Sequence, residues 1–355
     1  MRTRHRIAAI PGDGIGQEVV PAAIRCLDAT ADLFDLELAW TVLDWGSDHY
    51  RNHGRMMPTD GLDQLSHHDA IFLGAVGAPD IPDTETLWGL LIPIRRAFLQ
   101  YVNVRPVRTL PGVVSPLVDD RPVDIVIVRE NVEGEYSEVG GRLYRGRPEE
   151  TAVQESIFTR AGVQRVARYA FDLATDRGGA LISATKSNGI VHTMPFWDEV
   201  VAEVATHHPD VPCRPVLIDA LAAEFVLKPQ QIDVVVASNL FGDILSDLAA
   251  AITGSIGVAP SANLNPEAGH PSMFEPVHGS APDIAGQGIA NPLGQIWSGA
   301  MMLRHLGQAL AADALEQAFE TTMSDGVLTR DLGGDIGTEA FAHAVIKRLH
   351  RPEEG

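Results

Sequence analysis

Two aspartates, Asp243 and Asp247, stand four residues apart in Ser238-Asn239-Leu240-Phe241-Gly242-Asp243-Ile244-Leu245-Ser246-Asp247, directly after the strand-like run Val234-Val235-Val236-Ala237. On a helix this spacing puts both carboxylates on one face. That face lies at the carboxyl end of the strand, where open α/β sheets bind ligands. Like charges held there repel by up to about 0.5 kcal/mol when exposed and more when buried, so a cation between them would account for the pair. Alone, the same two residues would serve as a solvated helix face. A third carboxylate, Asp219, occurs in Val216-Leu217-Ile218-Asp219-Ala220-Leu221-Ala222-Ala223 and is expected in an apolar setting. Oxygen ligands of this kind suit Mg²⁺ or Mn²⁺ rather than Zn²⁺.

Three further groups could work beside such a cation. Lys186, in Thr185-Lys186-Ser187-Asn188-Gly189, follows the strand-like Leu181-Ile182-Ser183. A lysine desolvated near a divalent cation has its pKa pulled down and can act as a general base toward a hydroxyl. Tyr136, in Arg129-Glu130-Asn131-Val132-Glu133-Gly134-Glu135-Tyr136, could supply a phenolic proton. Arg95, Arg96, Arg105, Arg108 and Arg129 are candidates to clamp an anionic substrate by bidentate contacts. A separate stretch, Pro276-Val277-His278-Gly279-Ser280-Ala281-Pro282-Asp283-Ile284-Ala285-Gly286 with Asn291-Pro292 beyond it, reads as a nucleotide site. Its small residues let backbone approach a flat or phosphorylated ligand, and an aspartate can accept from ribose hydroxyls. Gly12-Asp13-Gly14-Ile15-Gly16 lacks the GxGxxG spacing and is read only as a strand-to-helix turn.

The elements that must position these residues follow from periodicity. Short apolar runs alternate with segments of helical period, the pattern of strands linked by crossover helices, so the class is α/β. Strands are predicted at Ile7–Ile10, Ala70–Leu73, Asp124–Val128, Leu181–Ser183 and Asp233–Val236, the last buried on both faces. Gln17–Thr30 is predicted helical, and Thr86–Leu99 largely so despite Pro93. Asn131 to Phe158, with five residues of Gly or Pro among Tyr136, Tyr144, Val153 and Ile157, suits an extended arm or hairpin that could clasp a second subunit. Ala251 to Asn291 is expected to be a long functional loop region.

Composition narrows the function classes. The chain has 355 residues, with 27 Lys plus Arg against 47 Asp plus Glu, a formal charge of −20, which opposes nucleic-acid binding. The length suggests two domains. Cys26 and Cys213 form no cluster, which fits a reducing cytoplasm. The apolar start of MRTRHRIAAI stops at Pro11, short of the ~7–15 residues a signal needs, and no run approaches the ~18 of a membrane span.

Four ordered motifs, PGDGIG (Pro11 to Gly16), TKSN (Thr185 to Asn188), SNLFGDILSD (Ser238 to Asp247) and HGSAPDIAG (His278 to Gly286), resemble those of the metal-dependent β-decarboxylating dehydrogenases. That family holds the isopropylmalate, isocitrate and homoisocitrate dehydrogenases. The resemblance runs from about residue 5 to residue 345. WGLLIPIRR (Trp88 to Arg96), YVNVRPVR (Tyr101 to Arg108), RENVEGEYS (Arg129 to Ser137) and GGRLYRG (Gly140 to Gly146) are most similar to its tartrate and D-malate (decarboxylating) branch. Val132 departs from the threonine usual there. A bulky Trp88 would shrink the space beside C3 of the substrate, favouring hydrogen or hydroxyl at that carbon.

The resemblance implies a two-domain α/β sandwich of the isopropylmalate dehydrogenase type, without a Rossmann motif and with a β-arm at a dimer interface. Residues 1–100 and 253–355 would form the larger domain with most of the NAD site, and 101–252 the smaller, with metal, substrate and arm. It further implies Asp219, Asp243 and Asp247 as Mn²⁺ or Mg²⁺ ligands, with Asp219 and Lys186 coming from the partner of a homodimer. Arg95, Arg105 and Arg129 match the carboxylate clamp. His278, Gly279, Ser280, Ala281, Asp283 and Asn291 match the dinucleotide site, where Asp283 favours NAD over NADP. Lys186 would take the proton of the C2 hydroxyl of an (R)-2-hydroxy diacid, and Tyr136 would protonate the carbon left by decarboxylation. A requirement for K⁺ is left open, as is the choice between D-malate and the tartrates. 3-Isopropylmalate is the alternative substrate, and a noncatalytic NAD-binding regulatory subunit is the alternative of another class.

Overall fold

The computed structural model describes residues 2–118, 121–267 and 269–351. The chain divides into two compact units: residues 1–100, 109–118 and 250–355 form the first, and 101–108 and 119–249 the second.

The first unit begins with β1 (Thr3–Gly12), α1 (Gly16–Leu33), β2 (Leu36–Val42), α2 (Ser47–His53), α3 (Gly61–Ser66), β3 (Ala70–Ala75), α4 (Asp83–Thr86) and α5 (Ile92–Ala97). Between α4 and α5, Leu87–Leu91 form a π-helical turn. Pro93 has no N–H to give the preceding turn, and a widened turn is a common answer to such a break. Alternate residues of β1 and β3, Ala8, Ile10, Ile71 and Leu73, pack with Leu90, Leu91, Ile94 and Phe98 of this helical segment. Trp88 and Arg95 are thereby carried on a well-anchored helix.

In the second unit the order is β4 (Val102–Arg108), β5 (Asp124–Glu130), β6 (Gly140–Leu143), β7 (Thr151–Gln154), α6 (Arg160–Arg177), β8 (Leu181–Thr185), α7 (Thr193–Ala205), β9 (Cys213–Leu217), α8 (Ile218–Leu227), β10 (Val234–Ala237) and α9 (Asn239–Thr253). Its sheet runs β4-β5-β10-β8-β9. β10 is parallel to both β5 and β8, and all four of its residues are buried, as expected for a strand covered on both faces. β8 and β9 are also parallel, whereas β4 and β5 run antiparallel. β6 and β7 form a separate antiparallel hairpin with every residue exposed, the arm expected from the glycine-rich segment.

The chain then returns to the first unit as β11 (Pro260–Leu264), β12 (Ser272–Pro276), α10 (Leu293–His305), α11 (Ala309–Ser324) and α12 (Thr338–Ile346). Here the expectation of one long loop from Ala251 to Asn291 is corrected, because β11 and β12 are buried, paired strands. They hold Ser261, Asn263, Ser272 and Glu275 in the interior, so no apolar alternation announces them. Their polar groups are paired instead: Asn263 Nδ2 donates to Glu275 Oε1 at 2.7 Å, and Ser298 Oγ donates to the Glu275 carbonyl at 2.9 Å. The five strands of this unit run β2-β1-β3-β12-β11. α1 packs on α10 and α12.

Candidate active site

In the second unit the candidate residues gather at the carboxyl ends of the parallel strands. Only Ser238 separates β10 from α9, so Asp243 lies just over one turn into that helix and Asp247 one turn further. Arg129, next to last in β5, lies beside β10, paired in register with Ala237. Arg105 sits on β4, two residues from Asn103, which is paired with Arg129. Period-two alternation therefore puts Arg105 and Arg129 on the same face of the sheet.

Both guanidiniums converge on Asp243. Arg105 Nη1 lies 3.2 Å from Oδ1, Arg129 Nη1 donates to the same oxygen, and the Tyr136 hydroxyl donates to Oδ2 at 3.0 Å. Both arginines are buried. Arg105 is steadied by Asn103 and Ser246, and Arg129 by Asn239 Oδ1, to which its Nε and Nη2 donate at 3.1 and 2.6 Å. Desolvation, followed by the charge of Asp243, holds the Tyr136 phenol above its usual pKa, so it is a protonated donor at neutral pH. Asp247 is also raised from its ordinary value by desolvation and then by Asp243, despite the opposing arginines. A carboxylate held up in this way beside a second one fits a bound divalent cation, which would favour the charged form of both.

Lys186 follows β8 directly, and Asp219 lies in the first turn of α8, just past the paired strand β9. Lys186 Nζ and Asp219 Oδ1 are 2.7 Å apart. The hydrogen bond from Lys186 lowers the Asp219 pKa, so this carboxylate is ionised. The expected apolar setting of Asp219 is corrected, since its side chain is 66% exposed. The apolar neighbours that suggested burial turn away on the helix, with Leu221 and Phe225 inside. Among the described residues no three His, Cys, Asp or Glu side chains of one chain come close enough to hold a metal. Asp219 thus does not join Asp243 and Asp247 within a chain.

In the first unit, Arg95 on α5 is partly buried against Glu275 of β12 at 2.7 Å, and its Nε is a buried atom with no hydrogen-bond partner. Trp88 lies in the π turn with the Arg96 guanidinium 5.0 Å over its ring. The nucleotide-type loop is organised by backbone. The Ser280 carbonyl accepts from Ile15 N at 2.8 Å, and Gly14 has φ of +55°, where a Cβ would collide with that carbonyl. Ala281 adopts φ of +40°, a strained conformation for a residue with a Cβ, and packs with Ile284 and Ala285 on Ile15 and Val19. Asn291 is buried, donates to Asp331 at 3.0 Å and accepts from Leu293 N at the start of α10. His278 Nε2 is buried without a partner, and desolvation lowers the ring's pKa, so it is a neutral imidazole offering one unused position. That orphaned atom and the small, strained loop fit a planar ligand base. Gly279 and Asp283 are exposed beside it.

Sequence reasoning missed Glu18, whose carboxylate accepts from Gly286 N and, at 2.8 Å, from Gly288 N. It also missed Asp331, Asn239 and Glu135. Glu18 falls two residues after the Gly12–Gly16 turn, and a carboxylate at a helix start facing a glycine-rich segment was the available signal.

The family described as isocitrate/isopropylmalate dehydrogenase matches residues 6–345. The chain belongs to that family. It is similar to the D-malate dehydrogenase [decarboxylating] of Escherichia coli (strain K12), 52% identical over 98% of this chain and 99% of that one. The tartrate dehydrogenase/decarboxylase of Pseudomonas putida is also 52% identical, covering 98% of both chains. Among solved structures, isocitrate dehydrogenase from Methylococcus capsulatus is similar with a TM-score of 0.88 and 35% identity, covering 97% of this chain and 99% of that one. The chain is thus an oxidoreductase of a decarboxylating dehydrogenase family. No helix of the described residues is long and apolar enough to cross a membrane.

Proposed function

We propose that this enzyme carries out the NAD-linked, metal-dependent oxidation and β-decarboxylation of a small (R)-2-hydroxy diacid, D-malate to pyruvate and CO₂ or a tartrate. The observation that carries this reading is the convergence of Arg105, Arg129 and Tyr136 on Asp243, in a chain half identical to enzymes named for those substrates. Mn²⁺ or Mg²⁺ would be held by Asp243, Asp247 and Asp219 of the partner subunit, and would polarise the C2 oxygen. NAD would sit on His278, Gly279, Ser280, Ala281, Asp283 and Asn291.

The chain's own residues supply the rest. Arg95, Arg105 and Arg129 would bind the carboxylates, Arg105 and Arg129 being set by the paired strands β4 and β5. Lys186 of the partner subunit takes the C2 hydroxyl proton. Tyr136, protonated at neutral pH, gives its proton to C3 after CO₂ departs. Trp88, on its anchored turn, limits bulk at C3.

A second copy is supported by the exposed apolar side chains of the second unit. Val226 and Leu227 on α8, Ile244 on α9, and Val139, Leu143, Tyr144 and Val153 of the arm are all exposed. Exposed apolar side chains in this number support an interface with a second copy. Free Cys26 and Cys213 fit a cytoplasmic home.

The test offers D-malate, L-tartrate, meso-tartrate and 3-isopropylmalate in parallel with Mn²⁺, with and without K⁺, following NADH and pyruvate. Fast D-malate or tartrate turnover is expected. Turnover of 3-isopropylmalate alone would overturn the substrate and the role of Trp88.

A further inference from the structure

Tyr136 stands in a loop at the base of an exposed hairpin, and its own side chain is 38% exposed. Its hydroxyl donates to Asp243 and the Arg129 guanidinium lies 5.6 Å over its ring, and both contacts depend on where the backbone of that loop is held. The residue before it carries the additional tie. Glu135 Oε1 accepts from the Ser238 hydroxyl at 2.7 Å, and its Oε2 accepts from Leu240 N at 3.0 Å. Ser238 is the last residue before α9, and its own carbonyl accepts from Gly242 N. A serine there would ordinarily cap the helix with its own oxygen. Here its hydroxyl donates to Glu135, and the same carboxylate supplies the acceptor for the helix amide. Both contacts are charge-assisted and lie at the positive end of the helix dipole. Alongside them, Asn239 Nδ2 donates to the Glu133 carbonyl at 3.2 Å, so the loop is laced to α9 immediately before Tyr136 reaches Asp243.

We propose that Glu135 is a positioning residue for proton transfer: by clamping Ser238 and Leu240 it fixes the Tyr136 hydroxyl against Asp243, one turn along the same helix. This rests on Tyr136 being the proton donor of the reading above. Asp243 and Asp247 lie further along α9, beyond the first-turn amide that the clamp holds.

The full-length protein carries five tyrosines and can be labelled with 3-fluorotyrosine, the Tyr136 resonance being assigned with Tyr136→Phe. In Glu135→Ala its ¹⁹F signal should sharpen and move to the position of free fluorotyrosine while the other four stay put. Pyruvate release should fall about tenfold, yet the same change in a Tyr136→Phe background should alter turnover by less than about twofold, because both changes act on one group. Glu135→Gln, which keeps one acceptor oxygen, should recover part of the loss, and Mn²⁺ affinity by direct titration should change less than about threefold. An unmoved Tyr136 resonance in Glu135→Ala, or losses that multiply in the double variant, overturns the inference alone. Wild-type turnover in Tyr136→Phe overturns the proton-donor reading and the inference with it.

Discussion

The two candidate ligand regions are built from different materials. Around Asp243 the second unit uses charged side chains set on strand ends and a helix face, each oxygen of one carboxylate answered by a guanidinium or a phenol. Around His278 the first unit uses backbone: a carbonyl held by Ile15 N, a left-handed Ala281, and two glycine amides gathered by Glu18. A region of the first kind is suited to moving protons and fixing charge, and one of the second kind to receiving a flat, extended ligand. Changes in the first should therefore strike turnover, and changes in the second should strike affinity.

The largest expected effect is at the groups proposed to transfer protons. Lys186→Met should lower NADH formation by about 10³-fold or more, and Tyr136→Phe should slow pyruvate release by about 10²-fold while hydride transfer in a single turnover changes less. Near-normal steady-state rates for the lysine variant would remove it from the chemistry.

A smaller effect is expected from Glu130, buried between Arg129 and Asn131 with its carboxylate accepting from Val132 N and Glu133 N. Burial pushes its pKa up to about 7 despite those hydrogen bonds and Arg165. The folded protein then binds this proton more tightly than the unfolded chain. The contribution is full below about pH 4.5 and is lost as pH rises toward about 7, a swing of at most roughly 3 kcal/mol. Glu130→Gln should flatten that part of the stability curve in thermal melts across pH 5 to pH 8. An unchanged curve would show that Glu130 does not titrate in this window.

Smallest of the three is the nucleotide loop. Glu18→Gln weakens one of two backbone contacts, so the KM for NAD should rise about fivefold with kcat unchanged, the pattern of lost uniform binding. A fall in kcat instead would blur the contrast between the regions.

How legible all this was in the sequence depended on which kind of signal each residue carries. β10 was plain because Val234, Val235 and Val236 have nowhere to go but a sheet interior. Asp243 and Asp247 were plain because helical spacing fixes their common face. β11 and β12 were not, since their interior is polar and their stability comes from cross-strand partners such as Asn263 with Glu275, which no local pattern encodes. The exposure of Asp219 was not legible, because the apolar residues around it in α8 do not all turn inward: Val226 and Leu227 remain exposed in a single chain. Glu18 and Glu135 went unseen for a related reason: each acts on backbone amides far away in sequence.

The central claim is that Lys186 and Asp219 are one half of a catalytic site whose other half, Tyr136, Asp243 and Asp247, belongs to a second copy. The direct measurement pairs a Lys186→Met chain with a Tyr136→Phe chain, differently tagged and purified as the hybrid. One of its two sites is then fully intact, so turnover should recover to about half that of the wild type, far above either parent. A hybrid no more active than the mean of the two parents would contradict the shared site.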